Sequence, residues 1–335
     1  MSVSTQRGQG LLVLPHLNLQ NVNAISSPLT HGFPSMTAFL GFMWALERAL
    51  EKRGVSLAFD SVGVICHAYQ EQVQNGYVKT FHLSRNPLDK NGSTAAIVEE
   101  GRMTLDVTLV FGTWGPEARE ENLFFVDDDA RGRTVALIEE VVATLRVAGG
   151  TVLPPGRMPG RRVRPYLLAW DEDDDLRDRQ FRWLRRQWLP GTALVSRDDL
   201  LARRFEAMRA ENPDANLLDA WLDLSRFNWR PVSTAEPAAE GAKVEWAHDR
   251  KGWIVPMPVG YSKLSELQPA GSVRHARDAR TRFRFVESVY SVGEWIGPHR
   301  LDAIEDMLWY ADTDADGGLY RCRNDYPQRL GTAVD

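Results

Sequence analysis

Cysteine is nearly absent, with two residues in a chain of 335: Cys66 lies in an apolar run and Cys322 near the C-terminal end. That is too few for a disulfide framework or a cysteine-based metal site, and it fits a reducing cytoplasm. Long apolar runs are missing too. None approaches the ~20 residues that span a bilayer, and the opening MSVSTQRGQG lacks the basic-then-apolar layout of a signal peptide, so neither secretion nor a membrane anchor is expected. Nor is there an excess of positive charge. Lys and Arg number 40 against 45 Asp and Glu, a formal net charge of -5, which argues against indiscriminate nucleic-acid binding and requires any such site to be a local basic patch.

Catalytic signatures are equally scarce. The seven histidines are scattered, with no HExxH, paired-histidine or CxxC spacing to build a metal site locally. There is no Walker A loop and no GxSxG elbow, and Gly293 with Gly297 is too sparse for a dinucleotide fingerprint. The acidic runs 171–175 and Asp312, Asp314, Asp316 lack the sharp-turn glycine or the downstream ligands of a calcium loop, and read as solvated loops. His67 ends an apolar strand and reads as a core or edge histidine rather than a general base. No catalytic residue, cofactor or metal is expected.

What is present is a globular composition, 43% hydrophobic and 25% charged, enough for a substantial core in two lobes. A strand over 11–19 is followed by an irregular stretch, residues 21–34. Phe39, Leu40, Met43, Trp44 and Leu46 then recur at helical spacing behind Ser35 as N-cap. Residues 62–69 read as a buried strand. Met103, Leu105, Val107, Leu109 and Phe111 alternate with polar residues, the clearest strand in the chain. Val135, Ile138, Val142 and Leu145 stripe a second helix, closed by Gly149-Gly150 before a short strand at 151–153. The order βαββαβ predicts an α+β fold with a ferredoxin-like or RRM-like domain over 1–155, from which a thumb-like hairpin excursion projects at 70–97. Helical stripes at Phe181, Leu184 and Trp188, then from Ser196 onward, predict an added helical lobe over 156–230. Linker composition marks 231–242 as a flexible linker. Residues 243–335 are expected to supply strands and a last helix through Leu301, Ile304 and Leu308 that pack back on the first domain.

The features that stand out chemically are polar loops with basic residues. Asn21, Asn23, Ser26, Ser27 and His31 sit in a loop with Gly32, where backbone can approach a phosphate or base edge closely; composition leaves this loop open between an ordinary βα connection and an RNA cradle. The excursion adds Lys79, His82, Arg85 and Asn86. Arg274, Arg277, Arg280, Arg282 and Arg284 with His275 beside them form the strongest compositional pointer to RNA, because guanidinium forks bind phosphate bidentately. The expected central strand 101–106 offers no aromatic residue for base stacking, so RNA is expected on loops and thumb and not on a sheet platform.

Four runs carry a resemblance: LLVLPHLNLQNVNAISSPLTHGFPS (11–35), LSRNPLDKNGSTAAIVEEGR (83–102), LPGTALVSRDDLL (189–201), and RFVESVYSVGEWIGPHR with LWYADTDADGGLYR (284–321). In colinear order over nearly the whole chain they resemble the family of second Csy subunits of the type I-F CRISPR surveillance complex, a Cascade-like assembly. The resemblance implies a repeat-associated (RAMP) RNA-binding fold that caps the 5′ handle of the CRISPR RNA. It implies pairing with the large Csy subunit, contact with the first backbone Csy subunit beside the thumb, and no nuclease activity. It adds target double-stranded DNA near the protospacer-adjacent motif as a further expected partner. Two rivals remain on the residues alone: a metal-independent guide-processing ribonuclease using His31 or His82, and an adaptor that binds only protein.

Overall fold

The computed structural model describes all residues except 1–7, 86, 87, 89, 90, 95, 96, 117–121, 125, 157, 233–244, 249, 277 and 333–335. Alternation of apolar residues on both faces builds its main element. Along β1 (Gly10–Asn23) Leu12 and Leu14 enter one core and Leu11 and Val13 another, on the opposite face, as a period of two dictates for a strand covered on both sides. Ten further strands complete the sheet: β2 (Ala58–Glu71), β3 (Arg102–Trp114), β4 (Arg146–Val147), β5 (Gly150–Val152), β6 (Tyr166–Ala169), β7 (Thr192–Ser196), β8 (Trp253–Lys263), β9 (Val286–Ile296), β10 (Tyr310–Asp314) and β11 (Leu319–Arg323). Their order is β4-β5-β1-β3-β2-β7-β9-β8-β11-β10, with β6 also on β1. Every ladder is antiparallel.

Six helices accompany this sheet among the described residues, so the protein is a mixed α+β molecule. Helix α1 (Met36–Glu51) turns Met36, Phe39, Leu40, Met43, Leu46 and Leu50 inward at i, i+3 and i+4 spacing, a stripe wide enough to seal one face of β1 to β3. On the same side lies α2 (Asp128–Thr144), whose N-cap Asp127 accepts a bond from the Ala130 N–H at 2.7 Å. The other face is covered by α3 (Asp174–Gln187) through Phe181 and Leu184. Helices α4 (Asp198–Glu211) and α5 (Leu217–Leu224) enclose a third, smaller core against Ile254 and Val292. In the segment 156–230 these helices alternate with β6 and β7, both hydrogen-bonded into the main sheet.

Two local expectations are corrected. Ser196 does not start α4: it is the last residue of β7, its N–H donates to the Asn324 side chain at 3.0 Å, and the N-cap falls on Arg197. The helix expected through Leu301, Ile304 and Leu308 is instead two 3-10 turns, Pro298–Arg300 and Ile304–Asp306. Asp306 accepts from the Asp302 and Ala303 N–H groups at 2.8 and 2.9 Å, closing the second turn, while Trp309 is drawn into a bridge with Val62. The last helix is α6 (Tyr326–Thr332).

Candidate nucleic-acid interface

Residues 21–35 leave β1 through a bulge. Between Leu19 and Val22 the β1 register against β3 shifts by one residue, and Asn21 takes a positive φ of 59° there, a conformation that asparagine tolerates better than most residues. Its side-chain oxygen accepts from Gln72 Nε2 at 2.9 Å, and its carbonyl from Arg102 at 3.4 Å. Asn23 closes a turn on Ile25, accepting from the Ile25 N–H (3.1 Å) and donating to the Ile25 carbonyl (2.8 Å). Ser26 accepts from the Ser35 N–H at 3.1 Å, and buried Ser27 pairs with the Thr30 hydroxyl at 2.7 Å. Much of the loop's polar capacity therefore holds its own shape, and Gly32, at φ 131°, sits where a β-carbon would be strained.

The loop is tied to the base of the excursion. Besides the Asn21–Gln72 bond, His31 packs against Phe81 with ring centroids 5.1 Å apart. Short ladders join Val73–Gln74 to Thr80–Phe81 and Leu83–Arg85 to Ile97–Glu99. Lys79 pairs with Glu71 at 3.2 Å, and the exposed His82 donates its backbone N–H to the Gln72 carbonyl at 3.2 Å. Tyr77 is fully exposed and Val78 largely so. Arg85 belongs to one of the short strands, and Asn86 lies outside the described residues.

Asn23 and Ser26 also line a hollow of about 390 Å³ whose other walls include Trp44, Tyr261 and Tyr320. Tyr261 and Tyr320 stack at 6.3 Å between centroids, and Trp44 approaches Tyr320 at 6.1 Å. Two residues beyond Tyr261, β8 ends and the connection 264–285 begins. That connection is zipped at its root by the Leu264 N–H to the Phe285 carbonyl (2.9 Å) and by reciprocal bonds between Gln268 and Phe283 (2.6 and 3.2 Å). Its tip turns on the Asp278 carboxylate, which accepts from the Arg280 and Thr281 N–H groups at 2.8 and 2.7 Å, and on His275 at φ 59°. Arg274, His275, Arg280 and Arg282 are exposed there, and the three arginines form no ion pair with a described residue; Arg277 lies outside the described residues. The structure thus joins the 21–35 loop to the thumb base and, through the aromatic hollow, leads along β8 to the root of the arginine connection.

Comparison with known proteins follows this geometry. Residues 12–322 match the family model described as CRISPR-associated protein (Cas_Csy2). The chain is also 44% identical over 322 residues to the CRISPR-associated protein Csy2 of Pseudomonas aeruginosa strain UCBPP-PA14, covering 93% of this chain and 94% of that protein. The chain belongs to the Csy2 family. It is accordingly a subunit of a type I-F CRISPR complex, and every predicted site residue falls inside the family match. Among the described residues no helix is long and apolar enough to cross a membrane.

Two groups in this Csy2-family chain escaped sequence reasoning. The aromatic wall is one: Trp44, Tyr261 and Tyr320 come from α1, β8 and β11, far apart in the chain, and only folding shows them together. The second is a cluster of His16, His67 and Asp106, whose potential ligand atoms lie within 4.8 Å of one another. A search for local metal-ligand spacing misses it because each residue belongs to a different strand. A cation is poorly served there. His67 already has both nitrogens engaged, Nδ1 with the Pro190 carbonyl and Nε2 with the Thr108 hydroxyl, each at 2.8 Å. Burial above all holds the His67 imidazole below its ordinary pKa, helped by His16 and Arg161 and opposed by the Pro190 carbonyl and Asp106.

Proposed function

We propose that this Csy2-family subunit is non-catalytic, binds the 5′ handle of the CRISPR RNA, and pairs with the large Csy subunit in defence against foreign DNA in the cytoplasm. One observation carries the reading: Asn23 and Ser26 face the same hollow as Trp44, Tyr261 and Tyr320, at the root of a loop bearing exposed arginines, Arg274, Arg280 and Arg282, with no ion pair to a described residue. Unstacked RNA bases are held by aromatic faces and by hydrogen bonds to their edges, while arginine forks neutralise phosphates. On this reading the stacking faces come from β8, β11 and α1, residues 101–106 at the start of the central strand offering no aromatic residue.

A ferredoxin-like RAMP core suits this role and is supported by the spatial order β5-β1-β3-β2 with α1 and α2 on one face, the arrangement of a βαββαβ unit. The thumb tip, with Tyr77 and Val78 exposed, is the proposed contact with the adjoining backbone subunit. Leu217, Leu218 and Leu222 on α5, with Phe227, Trp229 and Trp246, are large exposed apolar side chains of the kind that mark a protein interface, and we assign the large subunit to them. Target duplex near the protospacer-adjacent motif is a further partner in this reading.

The test is a salt titration of labelled handle RNA against the chain co-purified with its large subunit. Arg274, Arg280 and Arg282 replaced together by Ala should weaken binding and lower the slope of log affinity against log salt by about 2, at ~0.7 per phosphate contact for single strands. Equal affinities and slopes would dismiss the arginine loop as an RNA contact. Incubation with unprocessed repeat RNA in EDTA should leave it intact; cleavage lost on His31→Ala or His82→Ala would establish the ribonuclease instead.

A further inference from the structure

The His16 and His67 cluster lies on the sheet face opposite α1, and two β-bulges build it. Against β3, Leu14 pairs with Leu109 and Leu17 with Val107, so β1 carries one residue too many around His16, which takes φ 48°. On the other flank Cys66 pairs with Val107 and Ala68 with Asp106, making His67 the extra residue of β2. The two bulges sit at the same level of β3 and bring the imidazoles into a stack with centroids 4.1 Å apart. Paired bulges re-aim side chains, and strained non-glycine backbone of this kind gathers at functional sites.

Thr108 and Asp106 of β3 fix both rings. The Thr108 hydroxyl accepts the His16 N–H at 3.2 Å and donates to His67 Nε2 at 2.8 Å, which leaves His67 Nδ1–H to donate to Pro190. His16 donates Nδ1–H to the Asp106 carboxylate, 3.0 and 3.1 Å from its two oxygens. That leaves Nε2 as the His16 ring nitrogen without a described partner. His16 is 6% exposed and lines a cavity of about 200 Å³ with Arg161, Arg162, Arg186, Tyr166 and Trp188. The lining holds three arginines and no carboxylate. The indole of Trp188, 2% exposed, lies beside the Tyr166 side chain, whose ring is capped by the Arg162 guanidinium at 4.3 Å.

We propose that this cavity is a phosphoryl-binding pocket, separate from the loop-and-thumb interface and independent of the handle-binding reading. Three guanidinium groups at the rim supply forked donors of the kind that match phosphate oxygens. At the floor, the His16 ring is held in place by its bond to the Asp106 carboxylate, with Tyr166 and Trp188 beside it. A divalent cation fits less well, because it would have to displace one of the two His67 bonds and lie beside three arginines. The phosphoryl group can belong to a bound strand or to a free nucleotide or phosphate, and the experiment separates these sources.

The probes are inorganic pyrophosphate and a ten-residue oligouridylate, titrated calorimetrically into the full-length protein. Pyrophosphate should bind saturably. Arg161, Arg162 and Arg186 replaced together by Ala should weaken it more than tenfold. Arg274, Arg280 and Arg282 replaced by Ala should leave it unchanged, which keeps this test apart from that of the handle site. Because the three rim arginines are exposed, their removal should leave the fold intact, which an unchanged urea midpoint checks. Competition between the oligonucleotide and pyrophosphate identifies strand phosphate as the ligand. Pyrophosphate binding without competition identifies a free anion. Absence of saturable binding, or binding indifferent to the arginine triple, overturns the proposal.

Discussion

Replacing Trp309 by Phe tests whether the C-terminal segment is part of the same cooperative unit as the first strands. Trp309 is 1% exposed, its indole N–H donates to the Leu194 carbonyl at 2.8 Å, and its backbone exchanges two bonds with Val62 at 2.8 and 2.9 Å. Phenylalanine keeps the backbone bridge and the core contact but removes the indole donor and leaves a void. Deleting a buried donor costs about 1–3 kcal/mol, and a residual void of roughly 40 Å³ adds about 1 kcal/mol at ~24 cal/mol per Å³. The expected loss is about 3 kcal/mol. A chain of this length unfolds with an entropy of about 0.7 kcal/mol/K at ~2.1 cal/mol/K per residue, so Tm should fall by about 4 °C. Calorimetry reads the shift, and amide exchange reads its extent: protection in β2 should fall together with that in β7 and β10. A shift below 1 °C, or loss of protection confined to residues 298–332, would refute the coupling.

Two further expectations follow from titratable groups. Burial pushes the thiols of Cys66 and Cys322 up to about 12, so at pH 8 only about one in 10⁴ is thiolate and both should resist a disulfide-exchange reagent until the chain is denatured; rapid modification of the native protein would contradict the buried placement. The same raised values mean that the unfolded chain loses these protons first, near pH 9, so their stabilising contribution is complete below that pH and declines as pH rises toward about 12. Asp199 behaves oppositely. Burial alone would raise it, but the Arg197 fork at 2.9 and 3.1 Å and Arg203 hold it below the usual carboxylate range. Its contribution is present at neutral pH and fades as pH falls through the folded value, so Asp199→Asn should cost about 0.5–1 kcal/mol at pH 7 and progressively less as pH falls below the usual carboxylate range, as urea midpoints across that pH series would show.

Legibility in the sequence depended on whether a structural cause was local. Helix α1 was readable because six of its inward residues fall at helical spacing, and β3 because its alternation is unbroken from Arg102 to Leu109. The helix expected at 301–308 was misread because Leu301, Ile304 and Leu308 mimic that spacing while Asp306 and the Trp309 bridge impose turns. The bulges at His16, Asn21 and His67 were invisible, since an extra residue in a strand depends on pairing with a partner up to about a hundred positions away. For the same reason the 21–35 loop and the arginine run could be singled out by composition, whereas the tyrosines that connect them could not.

A net charge of -5 and a nucleic-acid function are compatible when charge is arranged rather than accumulated. Five of the ten arginines of the region 174–226 are spent on carboxylates of the same protein: Arg177 with Asp174, Arg197 with Asp199 and Glu294, Arg203 with Asp199, Arg204 and Arg226 with Asp223. Such pairs have little field beyond a Debye length of ~8 Å and attract no strand. Arg274, Arg280 and Arg282, and the arginines around His16, have no such described partners apart from the ring contact of Arg162 with Tyr166, so their field remains available at short range, against a background that repels nucleic acid at long range. Under the proposed function this contrast disfavours random association more than it weakens a strand already seated against the aromatic wall. Neutralising a few exposed acidic residues with no described ion pair, such as Asp129 and Asp175, should therefore raise affinity for unrelated RNA proportionally more than affinity for the handle. An equal gain for both would show that the acidic surface contributes nothing to selectivity.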